Sequence, residues 1–159
     1  MHPNVGRVVA AASVAGLAIE VQRFPEGTRT AADAARAIGC DVAQIVKSLV
    51  FMAGERAVLA LTSGTNRVDI ARLGEALGVD DVRRADGEGA RNATGFAIGG
   101  IPPFGHDRPL TVLIDRDLLT HDRLWAAAGL PDAVFAITPE ALVLASGGRV
   151  IDLADSAPH

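Results

Sequence analysis

Disulfides, zinc ligands and lysines are what this 159-residue chain most conspicuously lacks. A single cysteine, Cys40, excludes an intramolecular disulfide, and histidines at 2, 106, 121 and 159 fall into no Cys/His spacing that a structural zinc would need. No poly-Ser, poly-Gln or Pro-rich block interrupts a composition that is 49% hydrophobic and 21% charged, which excludes disordered and fibrous classes. The apolar stretch from Val8 to Ile19 runs for twelve residues, short of the ~20 that span a bilayer. Met1 to Ile19 carries only Arg7 as a positive side chain ahead of its apolar part and ends on no A-x-A site, so a cytoplasmic protein is expected. A net charge of -4 excludes a surface that holds nucleic acid by neutralising many phosphates, so no DNA partner is expected and any RNA contact must be local.

What the chain does contain reads as one α+β domain over residues 1–159, with a core over about 4–152 and a frayed tail from 153 onward. No internal repeat or linker divides it. Asn4 is placed to cap a first helix with Val5, Val8, Val9 and Ala12 on one face, and Leu17 to Phe24 alternates as a strand before a turn at Pro25 to Gly27. Thr30 and Asp33 resemble a capping box for a helix stopping at Gly39, and Asp41 caps a further turn. The β-branched run Ile45 to Ala53, then Gly54 to Arg56, then Ala57 to Thr62, predicts a hairpin. Helices are expected after Asp69, Asp86 and Thr138, and strands over 110–114, 133–137 and 150–152. Intrinsic propensity alone makes 123–128 helical.

Two features stand out chemically. Lys47, the only lysine beside fourteen arginines, sits inside an apolar strand, where an ammonium is expensive to bury. A strand-end lysine that snorkels to water accounts for it equally well; a compact flexible charge would also suit a phosphate or ester oxygen. Gly99-Gly-Ile-Pro-Pro103 is built for close backbone approach, either as a tight connection or as a loop aiming N–H groups at a carbonyl oxygen. Cys40 reads as a small apolar side chain, Thr62 to Thr65 as a turn, and a Ser63, His106, Asp115 triad could only be assembled by free choice.

In order along the chain, Thr30-Ala-Ala-Asp-Ala-Ala, Gln44-Ile-Val-Lys-Ser-Leu-Val-Phe51, Leu59-Ala-Leu-Thr-Ser-Gly64, Thr94 to Gly105, Leu113-Ile-Asp115 and Gly147 to Asp152 resemble the YbaK-type aminoacyl-tRNA deacylases. These are free-standing relatives of the editing domain inserted in prolyl-tRNA synthetases. The resemblance covers about residues 4 to 152. It implies a curved, mixed, largely antiparallel and barrel-like sheet flanked by short helices, with Leu124 to Ala128 in a strand despite its propensity. It also implies a trans-editing deacylase that hydrolyses the ester of a mischarged tRNA, a small residue such as Ala, Ser or Cys on proline tRNA, without metal or cofactor. The partners implied are the tRNA acceptor end and an aminoacyl-tRNA synthetase such as prolyl-tRNA synthetase, with no membrane.

By the same resemblance, Lys47, Gly99, Gly100, Ile101, Pro102 and Pro103 carry catalysis, and Ser48, Thr62 and Ser63 join Lys47, Gly99 and Gly100 in holding substrate. Pro102 stands where relatives often have Ser or another small polar residue, which leaves one donor fewer. An aminoacyl ester is already activated, so positioning a water, orienting the carbonyl and stabilising the oxyanion suffice without a nucleophilic side chain. A non-catalytic module of the same fold, binding a tRNA end or nucleotide, is the alternative; retention of both Lys47 and the Gly loop favours the enzyme.

Overall fold

The computed structural model describes residues 1–25, 28 and 30–155. Its central element is the predicted hairpin. β2 (Val46–Ala53) turns through Gly54, at φ +62°, into β3 (Arg56–Ser63), with Lys47 opposite Thr62. β3 continues in parallel to β5 (Thr111–Asp115), and β5 in parallel to β8 (Arg149–Ile151). On the other edge of β2, residues 51–53 pair with β4 (Val82–Arg84), giving the order β4-β2-β3-β5-β8. A second, antiparallel sheet has the order β1-β7-β6, from β1 (Val21–Arg23), β7 (Ala133–Ile137) and β6 (Leu124–Ala127).

One parallel bridge, Ile45 to Trp125, joins the two sheets. β6 therefore meets β2 at one end and β4 meets it at the other, and no described strand pairs with the stretch between them on that edge. The expected mixed α+β architecture is present as two sheets, and among the described residues no closed barrel is found, so the barrel-like part of the expectation is not confirmed.

Helices are set by their ends. Thr30 accepts from the Asp33 N–H at the start of α2 (Ala31–Ile38), and Asp69 from Ala71 and Arg72 at α3 (Ile70–Leu77). Asp86 accepts from Gly89 at α4 (Gly87–Thr94), and Thr138 from Ala141 at α5 (Pro139–Ser146). All four end on a left-handed glycine. α1 (Pro3–Val14) differs from expectation, because His2 caps it through Nδ1. Asn4 instead donates its side-chain amide to the Gly129 carbonyl at 3.2 Å.

The apolar face of α1, Val5, Val8 and Ala12, packs into the main core with Phe96, Phe104 and Phe135, the last two rings 5.7 Å apart. Leu73 of α3 packs on Phe51, Val58 and Leu113 across the other face of the larger sheet. Leu153 is fully buried in that cluster, Ala154 bridges Val68, and the Asp155 N–H donates to Arg67, so the packed chain extends past the tail expected from 153. The expected turn at Pro25 to Gly27 and the end of the tail fall partly outside the described residues. Among the described residues no helix is long and apolar enough to cross a membrane.

Candidate functional site

Where β6 and β4 part along β2, a cleft of about 330 Å³ opens. Its floor is the β2 edge from Ile45 to Leu49, including Lys47 and Ser48. The start of α2 supplies Thr30, Ala31 and Ala34, β4 supplies Arg84, and β6 supplies Trp125 to Ala127. Gly99, Ile101 and Pro131 close the remaining side. The Val50 carbonyl accepts from the Ala85 N–H on this edge, so strand alternation turns the Ser48 N–H and C=O the same way, into the gap. The Ser48 hydroxyl is buried with no protein partner.

Lys47 is half-buried, and its Nζ donates to the Asn66 carbonyl at 2.5 Å. Burial pushes its pKa below the ordinary lysine value; Arg84 and Arg67 push the same way, and Asp115 partly restores it. Asp115, at the end of β5, is 1% exposed. Its Oδ2 accepts from the Ser63 N–H at 3.0 Å and the Asn66 side-chain amide at 2.8 Å, and its Oδ1 from the Asp117 N–H at 3.0 Å.

The Gly loop reaches the cleft through Gly99 and Ile101, and its other members hold it in place. Gly99 adopts φ +92°. Gly100 lies so close to Leu130 that a Cβ there would come within 2.9 Å of the backbone. Pro102 and Pro103 are buried behind the lining, and the Pro102 carbonyl accepts a 2.7 Å bond from His106 Nε2. A carbonyl can only accept, so His106 carries its proton on Nε2. Burial is the main reason its pKa falls below the ordinary histidine value.

Arg7 ties the same segment to α1, lying 4.3 Å over the Phe96 ring, donating to the Gly95 carbonyl and pairing with Asp107. Thr28 pins the β6–β7 connection by donating its hydroxyl to the Pro131 carbonyl.

The sequence-predicted residues thus divide. Lys47, Ser48, Gly99 and Ile101 converge on the cleft, Gly100 and Pro102 hold the loop through Leu130 and His106, and Pro103 is buried outside the lining. Thr62 and Ser63, expected to hold substrate, do not line it. Ser63 donates its hydroxyl to Ala43, and Thr62 Oγ1 is buried without a partner. Ser63 and His106 bond elsewhere, so no nucleophilic triad forms with Asp115. Cys40 is absent from the lining, its thiol pKa pushed up by burial and by Asp41. Arg84, Trp125 and Pro131 come from three distant segments, and no local pattern in the sequence marks them.

The architecture is thus a small α+β domain with a lysine-floored cleft beside a Gly-Pro loop. The aminoacyl-tRNA editing domain model matches residues 25–144, and the chain belongs to that family. It is 43% identical, with a TM-score of 0.92, to a solved structure described as a candidate trans-editing enzyme for prolyl-tRNA synthetase, over 98% of this chain and 99% of that one. Proline--tRNA ligase of Acidithiobacillus ferrooxidans (strain ATCC 53993 / BNL-5-31) is 38% identical over 103 residues, 65% of this chain but 18% of the ligase. The chain therefore spans less than a fifth of the length of that relative. The Bacillus subtilis protein YwhH is 27% identical over 77% of this chain and 78% of its own.

Proposed function

We propose that the chain acts in trans as a deacylase, hydrolysing the ester between a small, wrong amino acid and the 3' end of proline tRNA. The observation that carries this reading is the convergence of the only lysine, the open β2 edge and the Gly99–Ile101 turn on one cleft. Lys47 supplies a cation for a ribose or phosphate oxygen, and the Ser48 backbone supplies a donor and an acceptor for the aminoacyl group. The Gly100 N–H is taken by the Ala97 carbonyl at 3.0 Å, so the backbone N–H groups of Gly99 and Ile101, which line the cleft, are the ones to stabilise the oxyanion as water adds to the carbonyl carbon and the ribose oxygen leaves with a proton.

Ala31, Ala34, Ala126, Ala127 and Ile101 leave room for a small side chain. Telling one small side chain from another by a methylene-sized difference is worth only ~1 to 3 kcal/mol, so a deacylation panel and not the wall composition decides which residue is released. A synthetase, prolyl-tRNA synthetase in the first instance, is the partner that would present the acceptor end. The test is a deacylation panel with Ala, Ser, Thr, Cys and Pro on proline tRNA. Release of a small residue with Pro spared supports the reading; tight binding of charged tRNA with no release of any residue overturns it in favour of a binding module.

A further inference from the structure

Lys47 does not hold its place unaided. The atom that receives its ammonium is a backbone carbonyl, that of Asn66, in the turn between β3 and α3. That turn is fixed from beneath. The Asn66 side-chain amide reaches two carboxylates, Asp115 at 2.8 Å and Asp117 at 2.8 Å, and Asp115 also binds the Ser63 N–H at the start of the turn. Asp115 is the buried member of this pair; Asp117 is exposed.

A buried carboxylate with three N–H donors is satisfied by local bonds alone, so the network could be taken as a plain loop tie. Its position says more. It is the anionic group acting on Lys47, against Arg84 from β4 and Arg67 from the turn, both of which disfavour the ammonium.

We propose that Asp115 is a positioning residue for Lys47, acting through Asn66: the carboxylate locks the Asn66 amide, and the Asn66 carbonyl then aims the ammonium along the floor of the cleft. The role rests on the deacylase reading for its catalytic meaning but not for its geometry. Without the lock, a half-buried lysine flanked by two arginines loses its acceptor and swings toward solvent or sheds its proton. A neutral amine beside an activated ester would no longer supply the cation that the site needs.

Because the chain has one lysine, 13C-lysine labelling yields a single Cε signal whose titration reports Lys47 directly. We expect Asp115→Asn and Asn66→Ala each to move that titration to lower pH and to slow single-turnover deacylation about tenfold or more, the scale of one charge-assisted bond. Asp117→Ala, which touches the same amide from the exposed side, should leave both within about twofold of the unaltered protein. If burying Asn at 115 prevents folding, Asn66→Ala decides alone, since Asn66 is only part-buried. An unchanged Lys47 titration in folded Asn66→Ala overturns the proposal. A shifted titration in a protein that deacylates no substrate would sustain the positioning role and overturn the deacylase reading instead.

Discussion

At the level of single residues, the cost of Lys47 is the informative quantity. A half-buried ammonium beside Arg84 and Arg67 contributes little to stability, since burial and both cations depress its pKa. Lys47→Ala should therefore lower deacylation about 10- to 100-fold, the worth of a charge-assisted bond. The unfolding free energy should change by under about 1 kcal/mol, lost stem packing being offset by relief of a desolvated charge. Lys47→Arg should fail similarly, because a planar fork placed next to Arg84 cannot reproduce a point charge on the Asn66 carbonyl. Parallel kinetics and urea titrations separate the two effects; full turnover in either variant would remove Lys47 from the mechanism. The buried hydroxyls of Ser48 and Thr62 lie on neighbouring strands, and of the two residues Ser48 alone lines the cleft.

Elements explain which parts of the loop are replaceable. At Gly99 an added Cβ meets nothing nearer than Pro131 at 3.8 Å, so Gly99→Ala bears only the strain of φ +92°, about 1–2 kcal/mol. At Gly100 the Cβ would press on the Leu130 backbone, which belongs to the β6–β7 turn and cannot yield alone. Gly100→Ala should push the loop off that turn, costing about 1–3 kcal/mol in chemical denaturation and lowering activity further than Gly99→Ala. Equal activity in the two variants would show that the loop's contact with Leu130 does not shape the site.

His106 gives the same segment a pH dependence. Its folded pKa lies below the ordinary value, so the unfolded chain takes up the proton first as pH falls through about 6.5. Its contribution is thus fully present above that value and declines below it. His106→Gln keeps a donor for the Pro102 carbonyl but no titrating ring, so the loss of stability between about pH 7 and 5.5 should shrink in that variant. An unaltered pH profile would refute the assignment.

Local signals made most elements legible: Thr30, Asp69, Asp86 and Thr138 cap the helices expected of them, and the hairpin is set by Gly54. Elements defined by distant partners were not. β4 has a single apolar residue and exists because residues 51–53 offer it an edge. The predicted strand over 17–24 pairs only at Val21 to Arg23, opposite 133–135. Leu124-Trp-Ala-Ala127 is helical by propensity and is expected as a strand only through the family resemblance; the strand is present, between β7 and the end of β2, where pairing and burial outweigh propensity. The site follows the same rule, since Lys47 and the Gly loop announce themselves in sequence while Arg84, Trp125 and Asp115 acquire meaning only when the strands are assembled.

For the whole molecule, the charge distribution limits how an acidic protein can hold an RNA end. Five arginines lie between Arg67 and Arg91, outnumbered by Asp69, Glu75, Asp80, Asp81, Asp86 and Glu88. Folding occupies part of this set: Arg72 pairs with Asp69 and Asp152, and Arg83 with Asp81. Arg84 lies at the cleft, 5.8 Å over the Phe51 ring, and Arg67 acts on Lys47 from the neighbouring turn. Three cations, Lys47, Arg67 and Arg84, thus stand at or beside the cleft, and the molecule around them is net negative. An acceptor end bound there should lose affinity gently with salt. Each phosphate neutralised on a single strand contributes about -0.7 to the log-log slope, so one to three contacts give a slope no steeper than about -2. Binding of a non-hydrolysable charged tRNA across a salt series measures this. A slope steeper than about -5 would require many more neutralised phosphates than these three cations can supply and would overturn recognition confined to the acceptor end.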